Sequence, residues 1–576
     1  MLSLFFSRLV LLAAILLLSA CKLTLEAVGG GSIIASKPLD GREVNCSGSC
    51  EYAVTSTDIN VFTAIPDDDH VFVGWNTLCK NSLMPCIAAA PSEALDEDLA
   101  YTLSAQFVPI SDVLAEPCEP QKRVRFVSAG GTRRAAGTAC EPNSISSPRL
   151  RDAEVIILLD RDGEINGSIE LEVGQQLLGA GDDGSLTVRR SNGRVLHFND
   201  LGGRPTLRRI PTQASIPNGG DAVVRLNDKT QVRGLRVAGG ANDFGAFVID
   251  SRGRKDLALY DLLIEPQFPN GAGLIIRDAT KAEIQRVTIT GPGRLGFIIG
   301  ETRVQMDSVT VSGMTGTLEA IGLRALSPSL IRNLSLVGST DDGMFIQVRG
   351  DGSQIENVHA ADVAGRAIRI GLLGETFVKG LSVDGAEDGI DIFNFGVPLV
   401  GSRISDLSVK QSQSAIKFSN FLELSHPITN LQASDVLTGI TLDRCSNLHI
   451  DGFEVRDVGF RALNIGFRGG NRWTNGTIQN SDNFGVLLFR TNGQTESFES
   501  VAISNTVTAL FSTDSGFDAR DLAVSNADVG FEIEAPFDKL SPVTGSNIRT
   551  RNVNQPCLIS DDITGPLLVD GEDCAE

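Results

Sequence analysis

The chain has 576 residues, enough for several ordinary domains or one long repetitive one. Gly is frequent at 60 residues while Trp (2), Tyr (3) and His (5) are scarce, so the core must be built from aliphatic side chains and Phe. A formal net charge of -21 would be repelled by a phosphate backbone or an anionic lipid surface, which excludes nucleic acid as a main partner.

The first 21 residues, MLSLFFSRLVLLAAILLLSAC, carry one Arg, an apolar run from Leu9 to Leu18 and small residues before Cys21. This is the pattern of a secretion signal, and the run is short of the ~20 residues that a membrane span needs. The ending Leu18-Ser-Ala-Cys21 resembles the lipobox of bacterial lipoproteins. That resemblance implies diacylglycerol on the Cys21 thiol, cleavage just before it, and a membrane partner reached through the lipid. Lys22 stands where a retention Asp could stand, so the resemblance implies the outer membrane of a Gram-negative type of cell.

Residues 22–110 alternate apolar and polar positions, as in Asn60-Val-Phe-Thr-Ala and Tyr101-Thr-Leu-Ser-Ala-Gln-Phe, between clusters of Gly, Pro, Asn and Asp. Such a pattern predicts a small antiparallel β module. Its motif order is a Gly-Gly-Gly-Ser turn, a Cys-x3-Cys, an Ala-x-Pro, Gly74-Trp75, two further Cys and a closing strand that ends in Phe. This order resembles the divergent internalin-type bacterial repeat, which implies a spacer or adhesive unit without enzymatic activity. Cys46 with Cys50 and Cys79 with Cys86 are its local pairing candidates, although four cysteines allow three connectivities. Cys118 and Cys140 fall in residues 111–152, a linker and N-terminal cap, and Cys557 and Cys574 close the chain; all are disulfide candidates for an oxidising compartment. Cys445, in LDRCSN, has no local partner and is expected to be a buried thiol.

From residue 153 to 576 the sequence repeats. A small residue followed by apolar-x-apolar recurs at Gly245, Gly273, Gly296, Gly322, Gly343, Ala367, Gly389, Ala415, Gly439, Ala462, Gly485, Ala509 and Gly530, a step of about 24 residues that signals a solenoid. A second strand lies between these, usually opened by Asn, Asp, Gly or Ser, residues that tolerate the left-handed backbone of a sharp corner. Coils of two or three short strands cannot close a core alone, so they must stack. The fold class is therefore all-β, a right-handed parallel β-helix solenoid preceded by the small disulfide-bearing module. Here the chain resembles the pectate-lyase-like β-helix superfamily, and the phrase Gln176-Leu-Leu-Gly-Ala-Gly181 is similar to the first coils of its members. The L-x-x-L-x-L spacing of leucine-rich repeats is absent.

Alternate strand residues face opposite sides, so the x position should point outward. Read along the stack, x gives Phe247, Ile275, Ile298, Arg324, Phe345, Arg369, Asp391, Lys417, Thr441, Asn464, Leu487, Phe511 and Glu532. The residue before the small one gives Asp342, Arg366 and Asp388 in adjacent coils. Asp342, Arg366, Arg369, Asp388, Asp391 and Lys417 thus form a candidate binding or catalytic face. An inverting hydrolase needs two carboxylates about 6.5 to 9.5 Å apart, and Asp342 and Asp388, two coils apart, come near the top of that range. Arg366, Arg369 and Lys417 could instead serve a lyase. Polygalacturonases of the resembled superfamily carry Asn-Thr-Asp, Asp-Asp, Gly-His-Gly and Arg-Ile-Lys in successive coils; here STDD and RAIRI are partial echoes, and Gly-His-Gly does not occur. Sugar subsites usually need aromatic platforms, and the only Tyr and Trp of the repeat, Tyr260 and Trp473, lie outside the charged coils, which weighs against catalysis.

No cofactor is expected. Calcium is a weak candidate at Asp182-Asp183, Asp341-Asp342 and Asp561-Asp562, none of which has the spacing of calcium-binding β-rolls. The sequence thus points to an envelope-anchored surface lipoprotein for adhesion, binding a polysaccharide or another envelope protein without catalysis. The alternative is a lyase or hydrolase acting on an acidic polysaccharide.

Overall fold

The computed structural model describes residues 21–36, 43–54, 59–80, 82–89, 101–209, 222–239, 247–316, 319–491, 494–534, 542–559 and 566–574. Cys21 opens the first strand, while Leu18-Ser-Ala, the leader, Gly245 and Asp561-Asp562 lie outside the described residues. The chain divides into two compact units, residues 1–207 with 230–236, and residues 208–229 with 237–576.

The first unit opens with two four-stranded sheets. One runs in the order Ser49–Val54, Cys21–Val28, Tyr101–Pro109, His70–Trp75, and the other Glu43–Cys46, Gly31–Ser36, Ile59–Pro66, Cys86–Ala89. Leu25, Ile33, Phe62, Trp75 and Leu103 are buried among them, and the Trp75 indole donates to Met84 O at 2.8 Å. The pairings are antiparallel except one: Cys21–Val28 runs parallel to Tyr101–Pro109, with Leu23 opposite Tyr101. Strand alternation reports which face is buried but is silent on direction, so a parallel ladder inside an otherwise antiparallel module leaves no mark in the sequence. Cys46 pairs with Cys50, Cys79 with Cys86 and Cys118 with Cys140, with Cα atoms 6.1, 5.5 and 4.9 Å apart. Beyond the module, parallel stacking begins: Val155 lies beside both Val124 and Gln176, and Gln176 beside Gln231.

The second unit is a parallel β-helix. In the strand Thr376–Asn394 the chain turns at Gly380 (φ 69°) and Gly385 (φ 76°). The same five-residue interval separates Asp406 from Gln411, Asn430 from Asp435, Asn475 from Asn480 and Ser500 from Asn505, all with positive φ. Each coil therefore carries two left-handed corners, and Asn, Asp and Gly supply most of them because other side chains are strained there. The second corner is also a ladder: Asn480 donates to Asp457, Asn505 to Asn480, Asn526 to Asn505 and Asn552 to Asn526, at 2.8 to 3.0 Å. After the second corner comes the longest strand segment, whose inward residues Ile390, Ile416, Ile440, Leu463, Val486 and Leu510 are all buried. The small residue before each has a steric cause. A Cβ on Gly389 would lie 2.6 Å from Val409 Cγ1, and one on Gly439 would lie 2.6 Å from Val455 Cγ1. Cys557 pairs with Cys574 at the C-terminal end (Cα to Cα 5.9 Å), and Cys445 is a buried free thiol whose pKa burial pushes up to about 12.

Several buried polar residues interrupt the apolar interior, among them Ser329, Ser353, Thr376, Ser402, Asn471 and Glu496. Glu496, wholly buried, accepts hydrogen bonds from Asn471 Nδ2 (3.0 Å), the Asn471 backbone N (3.4 Å) and Trp473 Nε1 (3.1 Å). Desolvation outweighs these donors and raises its carboxyl from the ordinary 4.5 to about 7. A carboxyl that holds its proton more tightly when folded stabilises the fold below its unfolded pKa, and that contribution is lost as pH rises through about 7. Glu496→Gln should therefore raise the unfolding free energy at pH 8 by up to about 3 kcal/mol and flatten its slope between pH 5 and 8. Denaturant titration of both proteins across that range measures it, and parallel pH profiles would contradict it.

The ladder yields a second expectation. Asn505→Ala loses two cross-coil hydrogen bonds and puts alanine at φ 55°. It should cost about 2 to 3 kcal/mol, whereas Asn505→Gly, which keeps the corner, should cost about half as much. Chemical denaturation of the two variants is the check.

Candidate functional site

In-register stacking converts equal coil positions into columns on the outer face of the long segment. Phe345, Arg369, Asp391, Lys417, Thr441, Asn464, Leu487, Phe511 and Glu532 are successive Cα partners. Beside them run Arg366, Asp388, Ser414, Thr438, Arg461, Phe484 and Thr508. Asp342 precedes Arg366 in that column, since Gly343 N donates to Arg366 O. On the other flank a third column holds Gln347, Gly371, Phe393, Ser419 and Asp443. The six charged candidates thus lie in two neighbouring columns: Asp342, Arg366 and Asp388 in one, and Arg369, Asp391 and Lys417 in the other.

Upstream, the sequence frame slips. Gly322, not Arg324, lies between Ile298 and Phe345, and Arg324 pairs with Gln347 in the third column. The reason is that the buried small residue of that coil is Ala320, two positions earlier. Likewise Asp250, not Phe247, is the partner of Ile275, and Phe247 lies beside Ala272. With the frame corrected, Glu319 enters the second column directly before Asp342, because Ala320 N donates to Asp342 O at 3.0 Å. Reading the residue before Ala320 would have found it. Glu319, Asp341 and Asp342 are a carboxylate trio on adjacent coils.

The charges are only partly spent on one another. Arg366 holds Asp342 through Nη2 to Oδ2 (2.5 Å), Nε to Oδ1 (3.4 Å) and its backbone N to Oδ1 (3.0 Å). Burial works to raise the Asp342 carboxyl, but these bonds and the Arg366 charge outweigh it and hold it below its ordinary value. Desolvation wins instead at Asp391, which is raised despite Lys417 and Arg369. Arg369 Nε stands 3.4 Å from Asp391 Oδ2, and Lys417 Nζ 3.8 Å from Asp443 Oδ2. Four atoms of this face, Arg369 Nε, Asp391 Oδ1, Arg461 Nε and Asn464 Oδ1, are shielded from solvent yet have no hydrogen-bond partner in the protein. Native proteins rarely leave such atoms without a water or ligand.

Aromatic rings are present after all, as Phe. Trp473 and Tyr260 are both buried, Trp473 against Glu496 and Tyr260 beneath the Arg286 guanidinium, so neither is a platform. On the outer face, Phe345 and Phe393 are stacked at 6.4 Å, Phe393 meets the exposed Phe395 edge-on at 4.9 Å, and the Arg369 guanidinium lies 4.6 Å from the Phe393 ring. Gly371 makes room, since a Cβ there would meet Phe395 at 2.7 Å. A second group, Phe460, Phe484 and Phe511, follows further along, with centroids 6.1 and 5.3 Å apart. Ser414, Lys417, Thr438 and Thr441 lie between the two groups.

Among the described residues no three His, Cys, Asp or Glu side chains are grouped to hold a metal ion. Asp182 is bound by Arg204 at 2.8 Å and Asp342 by Arg366, so two of the acidic pairs are engaged by guanidinium.

No family profile and no curated protein matches the chain. Among solved structures, it is similar to the catalytic domain of a GH87 α-1,3-glucanase in complex with tetrasaccharides (11% identity, 93% of this chain and 84% of that one, TM-score 0.32). It is also similar to tailspike protein 3 of bacteriophage CBA120 (11%, 95% and 89%, TM-score 0.24). A third is the A-module of a mannuronan C-5 epimerase from Azotobacter vinelandii (9%, 72% and 89%, TM-score 0.17). Likeness at this level carries no inference about ligand or activity.

Because the Arg366 bonds hold Asp342 ionised, Arg366→Ala should raise the Asp342 pKa, read by carboxyl-carbon NMR titration. The partly exposed pair contributes about 1 kcal/mol or less to stability, so the melting temperature should move by no more than a few degrees. An unchanged Asp342 titration would refute this account of the pair.

Proposed function

We propose that the chain is a glycan-binding β-helix of the cell envelope, anchored through a lipidated Cys21 and acting in surface adhesion without catalysis. The observation that carries this reading is the outer face itself: Phe rings at two places along the stack, charged and hydroxyl side chains between them, and four shielded polar atoms that make no hydrogen bond to the protein. A sugar chain offers what such a face lacks, ring faces to pack on Phe and hydroxyls to bond with guanidinium, carboxylate and amide. Stacked coils repeat about every 4.8 Å, a step comparable to one sugar unit, so a linear chain laid along the columns would meet similar chemistry at each residue. The net charge of -21 and the columns of mixed sign suit an extended polar ligand better than an apolar protein partner.

A second reading, a glycoside hydrolase or polysaccharide lyase, is favoured by the position of Glu319 beside Asp342. Asp342, held ionised by Arg366, would serve as base or nucleophile and Glu319 as acid, with one coil step between their backbones. Both readings are tested together. Purified protein is passed over immobilised neutral and acidic polysaccharides, and the eluates are assayed for new reducing or unsaturated ends. The binding reading expects at least one polysaccharide to be retained without chain cleavage, and retention to weaken at least tenfold in Arg369→Ala with Phe393→Ala while the melting temperature stays within a few degrees. New chain ends that vanish in Asp342→Asn would select the enzyme, and failure to retain any polysaccharide would sink the binding reading. Membrane anchoring is tested separately: Cys21→Ser should shift the protein out of the membrane fraction or leave it unprocessed.

A further inference from the structure

A groove of about 540 Å³ opens on the outer face just upstream of the charged candidates, lined by Leu295, Ile298, Gly300, Glu301, Glu319, Gly322, Arg324, Phe345 and Arg369 together with Arg277 and Asp278. Its floor is made by two missing side chains. Gly322 lies between Ile298 and Phe345, and Gly300 lies beside Arg277 in the neighbouring column. Gly322 is not required by its strand, whereas Gly300 lies at the register shift between Ile299 and Thr302, a bulge that is itself a recognised place for glycine. Both sit inside strands, neither has the positive φ that excludes other residues, and a Cβ would come no nearer than 3.8 Å to any atom at Gly322 or 3.9 Å at Gly300. Glycine in a strand interior weakens the sheet, and where packing does not demand it, the close approach of a ligand is a recognised reason for it.

The groove also has a closed end. The next outward positions upstream are Ile275, partner of Ile298, and Ala272, partner of Leu295, and both are buried with Phe247 in one apolar cluster. Downstream the columns remain open through Phe345 and Arg369. Two guanidiniums at the groove, Arg277 and Arg324, are exposed and have no carboxylate partner among the described residues, whereas Glu301 is taken by Arg349 at 3.0 Å and Arg369 by Asp391. Asp278 and Glu319 are the remaining acids of the lining, and Glu319 acts on Arg366.

We propose that this groove holds the terminal residue of a glycan chain bearing an anionic group, a carboxylate or a sulfate, whose remaining units run downstream over the columns. The glycine floor gives a sugar ring close access to the sheet, Phe345 walls one side, Arg277 and Arg324 bind the anion, and the buried Ile275 cluster stops the chain. This inference rests on the glycan-binding reading and adds to it that a chain end is recognised.

The test uses the full chain and hexasaccharides of three kinds: a uronate, a sulfated and a neutral chain, each free and blocked by a bulky tag at one end or the other. Wild type should bind an anionic hexasaccharide, uronate or sulfated, and a tag at one particular end should weaken binding at least tenfold. Gly300→Val and Gly322→Val, which suit a strand and fill the floor, should keep or raise the melting temperature while reducing affinity at least tenfold. Arg277→Ala with Arg324→Ala should remove the preference for anionic over neutral chains. Unchanged affinity in both valine variants, tolerance of tags at both ends, or equal binding of the neutral chain would overturn the proposal. If binding survives these changes yet is lost in Arg369→Ala with Phe393→Ala, the glycan face stands and the terminal site falls; if no hexasaccharide binds, both fall.

Discussion

Parallel stacking in register is the constraint on which the rest of this molecule depends. Strands of successive coils run parallel about 4.8 Å apart, so a residue type at one position of a coil sits against the same position of the next. Inward positions must then be mostly apolar, corners must accept positive φ, and the residue packed against the segment before the next coil's second corner must be small. The observed columns of Ile and Leu, the Asp457 to Asn552 ladder and the Gly389 and Gly439 contacts are three expressions of one rule. The same multiplication applies outside: an outward side chain is never alone, because its neighbours above and below are fixed by register.

That rule explains what could be read without coordinates. The solenoid was legible because its two periods, strand alternation and the ~24-residue step, leave marks at every coil, and because Asn, Asp and Gly at the corners have a conformational reason to be there. The alignment of Asp342, Arg366 and Asp388 followed from the small residue that comes next. The frame failed where that marker is ambiguous: in EAIGLRA both Ala320 and Gly322 are small, and only packing decides that Ala320 is the buried one. Glu319 was lost with it. Phe393 and Phe395 went unnoticed for another reason. Phe in a β-helix reads as core, and their outward placement over Gly371 is a tertiary fact. The Glu496, Asn471 and Trp473 network was equally hidden, since the sequence does not tell an inward carboxylate from an outward one.

Several features of the outer columns are not demanded by the stack itself. The stack needs outward residues only to be soluble and compatible with their neighbours, a demand that alternating charges meet at little energetic consequence. It does not need Phe rings exposed beside guanidiniums, polar atoms shielded without partners, or strand glycines with room for a side chain. These features occur together along the outer columns from Gly300 to Phe511, and each is a local cost to the fold that a bound polar chain would offset. The buried carboxyl of Glu496 is a different case, a cost inside the stack that neutral pH brings out.

The most direct measurement is arginine footprinting of the intact protein by a guanidinium-modifying reagent and mass spectrometry, with and without a polysaccharide that the protein retains. The account predicts protection of Arg277, Arg324, Arg369 and Arg461 on binding, while Arg456 and Arg520, exposed away from these columns, react at unchanged rates. Protection confined to Arg456 or Arg520, or none at any of the four column arginines while the polysaccharide is bound, would contradict it.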